Sequence, residues 1–193
     1  MSNSGVFDVN DIRYLMDYQQ WSGVGTLELI QTQVADGTSA TLDFTSIQQS
    51  TYNVHLVTFT DMEVAVDGDR IKMRFFENGT VESAGVYHYA TQQGSPSGFN
   101  ESRSTSANDL PTIKNTGTDA RSNSNGYTYI YNAGDSSKYT FNTYHSTTTD
   151  TSLHYFMWFG SGVLPQASTV DGLRFFSSAN ITGSISLYGI KYS

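Results

Sequence analysis

The sequence predicts an all-β fold, an antiparallel sandwich or barrel that follows a short N-terminal segment. From Thr26 onward, apolar residues recur at every second position in short runs, which is the side-chain period of a half-buried strand. Segments rich in Gly, Asn, Asp and Ser separate the runs, and these residue types favour turns. A chain of 193 residues buries roughly 70% of the surface that its unfolded state exposes, so such a fold has a core without disulfides.

The N-terminal segment has a different pattern. Ile12, Leu15 and Met16 have the spacing of one helical face, and the Gly-rich stretch after Trp21 ends the run. We expect a short helix or arm at 1–25, which is too short to fold alone. Ile12, Leu15, Met16 and Trp21 are its candidate anchor residues, because their side chains must be buried somewhere. Two places are open: the surface of a partner or neighbouring copy, and the open end of the chain's own sandwich.

Alternating runs predict strands through the rest of the chain. The clearest is 70–76, where Ile71, Met73 and Phe75 alternate with polar or charged residues, as on a sheet with one wet face. The run from Ile181 predicts that the last strand closes the sheet. The other predicted strands begin at Thr26 and lie at 40–44, 52–59, 86–90, 127–131, 138–144, 153–159 and 170–176.

Residues 91–125 break this regular pattern. They are mostly Ser, Thr, Asn, Asp, Gly and Gln, with Phe99, Leu110 and Ile113 as the sizeable apolar side chains. Loops longer than about 15 residues are uncommon in compact domains. We therefore expect a long polar loop at 91–125 that is either a functional excursion or a mobile insertion.

Composition and charge exclude several classes of partner. Acidic residues outnumber basic ones, 18 to 10, and the net charge of −8 argues against binding to nucleic acid. No apolar stretch approaches the roughly 20 residues that span a bilayer, so we expect no membrane insertion. Cysteine is absent and no Gly-rich phosphate loop occurs, so we expect no cofactor.

Motifs for metal binding and catalysis are also lacking. The histidines, His55, His88, His145 and His154, have no His-x-His or His-x-x-x-His spacing, so we expect no metal site. No G-x-S-x-G elbow is present. A glycan-degrading enzyme needs two carboxylates that converge in a groove, and nothing in the sequence marks such a pair. The chain is therefore predicted not to be an enzyme.

Tyrosine and phenylalanine are abundant, with 13 and 11 residues. Tyr127, Tyr129 and Tyr131 are predicted to share one face of a strand by the period of two. Together with Phe99 they are the candidate contacts to a partner or receptor. Three interpretations are open: stacking on sugar rings, filling of a subunit interface, and ordinary packing between strands.

Four segments carry a resemblance to a known family. They are LELIQTQVADGTSATLDFTSI at 27–47, a Tyr-x-x-His strand at 52–55, VDGDRIKMRFFENGT at 66–80 and the terminal ITGSISLYGIK at 181–191. Together they resemble jelly-roll proteins of tailed bacteriophage virions, often of aquatic phages. The most specific piece is the ending, which runs from Gly183 through Leu-Tyr-Gly-Ile to Lys191.

The resemblance implies a jelly-roll-like antiparallel β-sandwich at 26–193 behind a short N-terminal arm or helix. It implies a non-catalytic virion structural protein, in a tail fibre or capsid attachment, that mediates assembly or host-surface attachment. Such proteins are commonly trimeric, assemble in the host cytoplasm and contact other virion proteins, here through the N-terminal arm. A glycan-binding adhesin, and after it a glycan-degrading depolymerase, are the alternatives.

Overall fold

The computed structural model of the protein describes residues 26–119 and 121–191, and these residues form strands, turns and loops without a helix. The strands are β1 (Thr26–Asp36), β2 (Thr41–Phe44), β3 (Val54–Val64), β4 (Asp69–Glu77), β5 (Thr80–Val81), β6 (Tyr87–Ser95), β7 (Gly98–Ala107), β8 (Leu110–Thr116), β9 (Ser124–Tyr131), β10 (Thr140–Thr149), β11 (Tyr155–Leu164), β12 (Val170–Phe176) and β13 (Ile181–Lys191). All of their pairings are antiparallel and they form two sheets. The predicted all-β antiparallel sandwich is confirmed.

Eight of the strands are connected as a jelly roll. The larger sheet contains the order β1-β13-β3-β9, and the second sheet contains β2-β12-β4 with β8 on the other side of β4. The first strand therefore pairs with the last, β2 pairs with β12, β3 with β9 and β4 with β8. This nesting, in which the chain crosses between the sheets as it pairs inward from both ends, is the double-sheet jelly-roll arrangement.

Two insertions extend this framework. The segment β5-β6-β7 lies between β4 and β8 in sequence, and the hairpin β10-β11 lies between β9 and β12. Four of these strands, in the order β10-β11-β6-β7, continue the larger sheet beyond β9. We call β1, β13, β3 and β9 the jelly-roll half of the larger sheet, and β10, β11, β6 and β7 the inserted half.

The apolar core lies between the jelly-roll half and the second sheet. Phe175 of β12 is fully buried, and its ring is edge-on to Phe44 of β2 at 6.0 Å and to Phe59 of β3 at 5.2 Å. Ile185 and Leu187 of β13 are buried beside them. The last strand thus closes the sheet between β1 and β3, as its alternation predicts.

Much of the interior under the inserted half is polar, although Tyr87 of β6 and Leu164 of β11 belong to the apolar core. The inward side chains of β10 are Thr140, Asn142, Tyr144, Ser146 and Thr148, and all are buried. β8 lies beneath this half, and two of its carbonyl groups accept hydrogen bonds from β10. The Ser146 hydroxyl donates to Thr112 at 2.9 Å and the Thr148 hydroxyl to Asn115 at 3.2 Å. Hydrogen bonds therefore link the two sheets here.

The expectation of a long polar loop at 91–125 is wrong for most of that segment. It contains the end of β6, all of β7 and β8, and the start of β9, so that 117–123 is the longest stretch between strands there. The polar composition misleads because β7 is an edge strand whose side chains are mainly exposed or half-buried. A strand of this kind pairs through backbone groups and needs no apolar alternation.

The predicted N-terminal arm, with Ile12, Leu15, Met16 and Trp21, lies outside the described residues. None of the described residues belongs to a helix that is long and apolar enough to cross a membrane.

Candidate binding face of the larger sheet

The outer face of the larger sheet points away from the second sheet, and its side chains form rows. Residues that pair directly across neighbouring strands lie side by side, perpendicular to the strands. Three rows cross the face. Each row is given in the order of the strands across the sheet, from β1 to β7. The first row is Leu27, Ile190, Val54, Tyr131, Phe141, Val163 and His88. The middle row is Leu29, Tyr188, Leu56, Tyr129, Thr143, Ser161, Ala90 and Arg103, and the third row is Thr32, Ser186, Thr58, Tyr127, His145, Phe159, Gln92 and Glu101.

The three candidate tyrosines stand together at the centre of this face, on β9. The Tyr127 and Tyr129 rings meet edge-to-face at 5.7 Å, and the Tyr129 and Tyr131 rings stack at 6.3 Å with 24° between their planes. Tyr127 is 42% exposed. The Tyr131 hydroxyl is 3.2 Å from the hydroxyl of Thr143, and the two share a hydrogen bond. The tyrosines thus form one ridge along β9.

Phe99 lies on the same face but at its far edge. It belongs to β7 and pairs with Gly94 of β6, and its side chain is 66% exposed. A side chain at Gly94 would collide with it, because a Cβ there would lie 3.0 Å from Phe99 Cε1 and 2.9 Å from Met157 Cε. Three strands separate Phe99 from Tyr127, a distance of roughly 19 Å. The structure therefore places the four candidates on one face without bringing Phe99 to the tyrosines.

A groove crosses the strands between these two sites. Its floor consists of the small side chains Thr143, Ser161 and Ala90 of the middle row. The larger side chains of the neighbouring rows form its two walls, with Phe141 on one side and Phe159 on the other. Both phenylalanines keep their rings accessible, at 43% and 38% exposure.

The groove has the size of a ligand site. The part bordered by Phe141, Val163 and His88 encloses about 660 Å³, and the adjoining part beside Phe159 and Gln92 about 290 Å³. Both border Arg103 of β7. Sites for small molecules typically enclose 300 to 1,000 Å³. The first part alone is therefore large enough for a ligand.

One end of the groove is charged and the other is aromatic. Arg103 ends the floor at β7, and its guanidinium group has no ion pair or hydrogen bond within residues 26–119 and 121–191. Glu101 lies two positions away on the same face, at the end of the third row. Tyr129 closes the opposite end at β9. A ligand in the groove would meet hydroxyl groups below, aromatic rings on both sides and charged groups at one end.

A buried lysine lies under the inserted half. The ammonium nitrogen of Lys114, on β8, is 4.3 Å from the centre of the Trp158 ring and 6.0 Å from that of Tyr89. The residue is 6% exposed. Burial lowers the pKa of Lys114 to about 8, because the aromatic surroundings replace water poorly around the charge. Burial also raises the pKa of Tyr144. These groups support the sheet from inside and do not reach the groove.

The histidines occupy four separate environments. His55 is buried in the jelly-roll half, where its Nε2 is 2.7 Å from the Ile47 carbonyl oxygen, and burial lowers its pKa. His88 and His145 belong to the outer rows, and His154 pairs with Asp150 at 3.1 Å. Within the described part of the chain, no three His, Asp or Glu side chains are grouped so that they could hold a metal ion.

The predicted strand ranges include His88, Ala90, Phe141, Thr143 and Phe159. The other groove residues, Gln92, Glu101, Arg103, Ser161 and Val163, lie outside those ranges, and the sequence does not predict the groove itself. Phe141 and Thr143 alternate with buried positions along β10, which predicts that they face outward. Their alignment with Ser161 and Ala90 depends on the register between strands that are far apart in sequence. The missed residues, Phe141, Phe159, Ser161 and Arg103, have no local motif that would mark them.

The strands form a jelly-roll sandwich whose larger sheet is extended by the inserted half. The outer face of that sheet carries an open groove bordered by aromatic side chains. Comparison of the chain with protein-family models, with curated proteins and with solved structures gave no match.

Proposed function

We propose that the chain is a non-catalytic structural protein of a bacteriophage virion, a surface-exposed subunit that attaches to a host-surface glycan through the groove of its inserted half. The observation that carries the glycan part is that Phe141 and Phe159 border the two adjoining parts of one groove on opposite sides of the row of small side chains. The virion part is supported by the jelly-roll connection of the strands and by the resemblance of the segments at 27–47, 66–80 and 181–191.

The chemistry of the groove suits a sugar chain. A pyranose ring has an apolar C–H face, which packs on aromatic rings, and hydroxyl groups at its edge, which need hydrogen-bond partners. Phe141 and Phe159 offer the rings, and Thr143, Ser161 and Gln92 offer the polar groups. The groove runs over four strands, so that a short stretch of polysaccharide lies across the sheet.

The non-catalytic part of the proposal is supported by the carboxylates. The three rows contain one carboxylate, Glu101, whereas glycoside hydrolysis canonically uses a pair. Elsewhere Asp43 is held by Arg174 at 2.7 Å and 2.5 Å, and Asp171 accepts a hydrogen bond from the Gly79 amide at 2.8 Å. Shortening of polysaccharide chains during incubation with the protein would contradict this part.

Binding to arrayed surface polysaccharides of aquatic bacteria tests the glycan site. Phe141→Ala and Phe159→Ala should each weaken binding about five- to tenfold, because a ring stacked on a ligand contributes about 1 kcal/mol or more. Val34→Ala is the matched control, since Val34 is 74% exposed on the same face at the opposite edge. Equal binding by all variants would contradict a site in this groove.

Mass spectrometry of purified particles tests the virion part. The proposed partners are other virion proteins and sister copies in a homotrimer. A high copy number per particle would favour a capsid attachment, and a low one a tail fibre. Absence of the protein from particles would overturn the proposal, and a monomer in native mass spectrometry of the released protein would overturn the trimer.

A further inference from the structure

The jelly-roll half carries a continuous apolar surface on its outer face. Leu27 and Leu29 of β1 are 52% and 59% exposed. Their neighbours in the first two rows are the half-buried side chains Ile190, Tyr188, Val54 and Leu56. We call these six residues the apolar band.

The band ends sharply at the third row. The next positions along the strands are Thr32, Ser186 and Thr58, and the Thr32 and Ser186 hydroxyls share a hydrogen bond at 2.8 Å. Val34, further along β1, is surrounded by polar neighbours and is a single exposed apolar side chain, which is ordinary on a protein surface. A contiguous apolar surface bordered by polar residues is typical of an interaction site.

The chain enters the sandwich at this band. β1 begins at Thr26, directly before Leu27, so that residues 1–25 lead to its edge. This segment contains the four candidate anchor residues Ile12, Leu15, Met16 and Trp21. Five residues of extended chain reach roughly 17 Å, whereas the band is two strand spacings wide, roughly 10 Å. Trp21 can therefore reach every member of the band.

We propose that residues 7–21 of the same chain cover the apolar band, with Ile12, Leu15, Met16 and Trp21 packed against it. The segment with the apolar residues directly precedes β1 in sequence, and the sequence Ser-Gly-Val-Gly at 22–25 contains two glycines, a residue type that tolerates changes of chain direction. This inference selects the chain's own sandwich over a partner as the site of the N-terminal segment. It does not depend on glycan binding, because the band lies on β1, β13 and β3, the groove floor lies on β10, β11 and β6, and β9 separates them.

Tryptophan fluorescence of the full chain tests the inference. Trp158→Phe leaves Trp21 as the only tryptophan. A covered Trp21 emits at short wavelength and is protected from acrylamide. Leu29→Glu combined with Leu56→Glu should move the emission to longer wavelength and increase quenching several-fold. Val34→Glu, on the same strand and face but outside the band, should change neither.

Two results would overturn the inference. The first is that acrylamide quenches Trp21 fully in the protein with an unchanged band, which is expected if the N-terminal segment binds another virion protein instead. The second is protection that depends on protein concentration, since a second copy would then cover the band.

Engineered cysteines give an independent measurement in a chain without native cysteine. Met16→Cys is combined in turn with Val54→Cys, Leu56→Cys or Tyr188→Cys. A disulfide within one monomer in any of these pairs supports the inference. Disulfides that form only between monomers overturn it, whatever the fluorescence result.

Discussion

The two halves of the larger sheet continue one hydrogen-bonded ladder, but they are held to the rest of the molecule in different ways. Under the jelly-roll half, aromatic and aliphatic side chains such as Phe59, Ile185 and Leu187 fill the space to the second sheet. Under the inserted half, hydroxyl and amide side chains bond to β8, and Lys114 lies against Trp158. Apolar burial is the larger stabilising contribution in most domains. The jelly-roll half is therefore the framework, and the inserted half is a supported platform.

This difference has a consequence for function. A binding groove needs a floor of small side chains and walls with accessible rings, and neither adds much to a core. The inserted half can carry such a surface because the jelly-roll half supplies the stability. Elements that bind ligands are often drawn from the less stable parts of a protein.

The largest expected effect is the loss of a core ring in the jelly-roll framework. Phe175→Ala removes a fully buried side chain that contacts Phe44 and Phe59. We expect the free energy of unfolding in urea to fall by about 3–5 kcal/mol, because the lost transfer energy adds to the cost of the cavity. A change below about 1 kcal/mol would contradict the assignment of the apolar core between the jelly-roll half and the second sheet as the framework.

The second prediction concerns the buried charge of the inserted half. The pKa of Lys114 is lowered to about 8 in the folded protein, and an unfolded lysine titrates near 10.4. Between these values the unfolded state binds more protons, so stability from this group rises as the pH rises from about 8 to 10.4. Over this pH range the contribution of Lys114 raises the free energy of unfolding by at most about 3 kcal/mol. It should be absent in Lys114→Met, which keeps the length and apolar character of the side chain.

Urea unfolding of both proteins across this pH range makes the measurement. Tyrosines also titrate at the upper end, but they are common to the two proteins, so the difference between the curves isolates Lys114. Parallel curves would mean that the ammonium group is solvated in the folded protein.

A glycine beneath the groove gives a smaller effect. Gly162 of β11 faces β8, and a Cβ there would lie 2.4 Å from Leu110 Cδ2 and 2.8 Å from Asn142 Oδ1. Gly162→Ala should lower the free energy of unfolding by about 1–3 kcal/mol, because the packed neighbours must move. Gly68→Ala is unsuitable as a control because Gly68 has a positive φ of 74°. Ser161→Ala, at the adjacent outward position, should change stability by less than about 0.5 kcal/mol.

The sequence predicts the strands of the framework better than those of the platform. The reason is that apolar packing, which leaves an alternating pattern in the sequence, holds the framework, whereas polar interactions hold much of the platform. Strands 170–176 and 70–76 appear where alternation places them, as β12 and within β4, because a buried apolar face produces the pattern. β7 carries no such pattern because it is an exposed edge strand, and β8 carries none because the polar residues Thr112, Lys114 and Thr116 are buried along with Leu110 and Ile113. The groove depends on the register of β10, β11 and β6, which no local sequence feature specifies.

The smallest expected effect tests the hydrogen bonds that support the platform. Ser146→Ala removes the bond from the Ser146 hydroxyl to the Thr112 carbonyl, which joins β10 to β8. We expect a loss of about 1 kcal/mol in urea unfolding, the usual net value of a single buried hydrogen bond. Native-state hydrogen exchange should show the loss as faster opening of β10 and β8, with β13 and β3 unchanged. Equal acceleration in both halves would mean that the larger sheet opens as one unit, and the distinction between framework and platform would not hold.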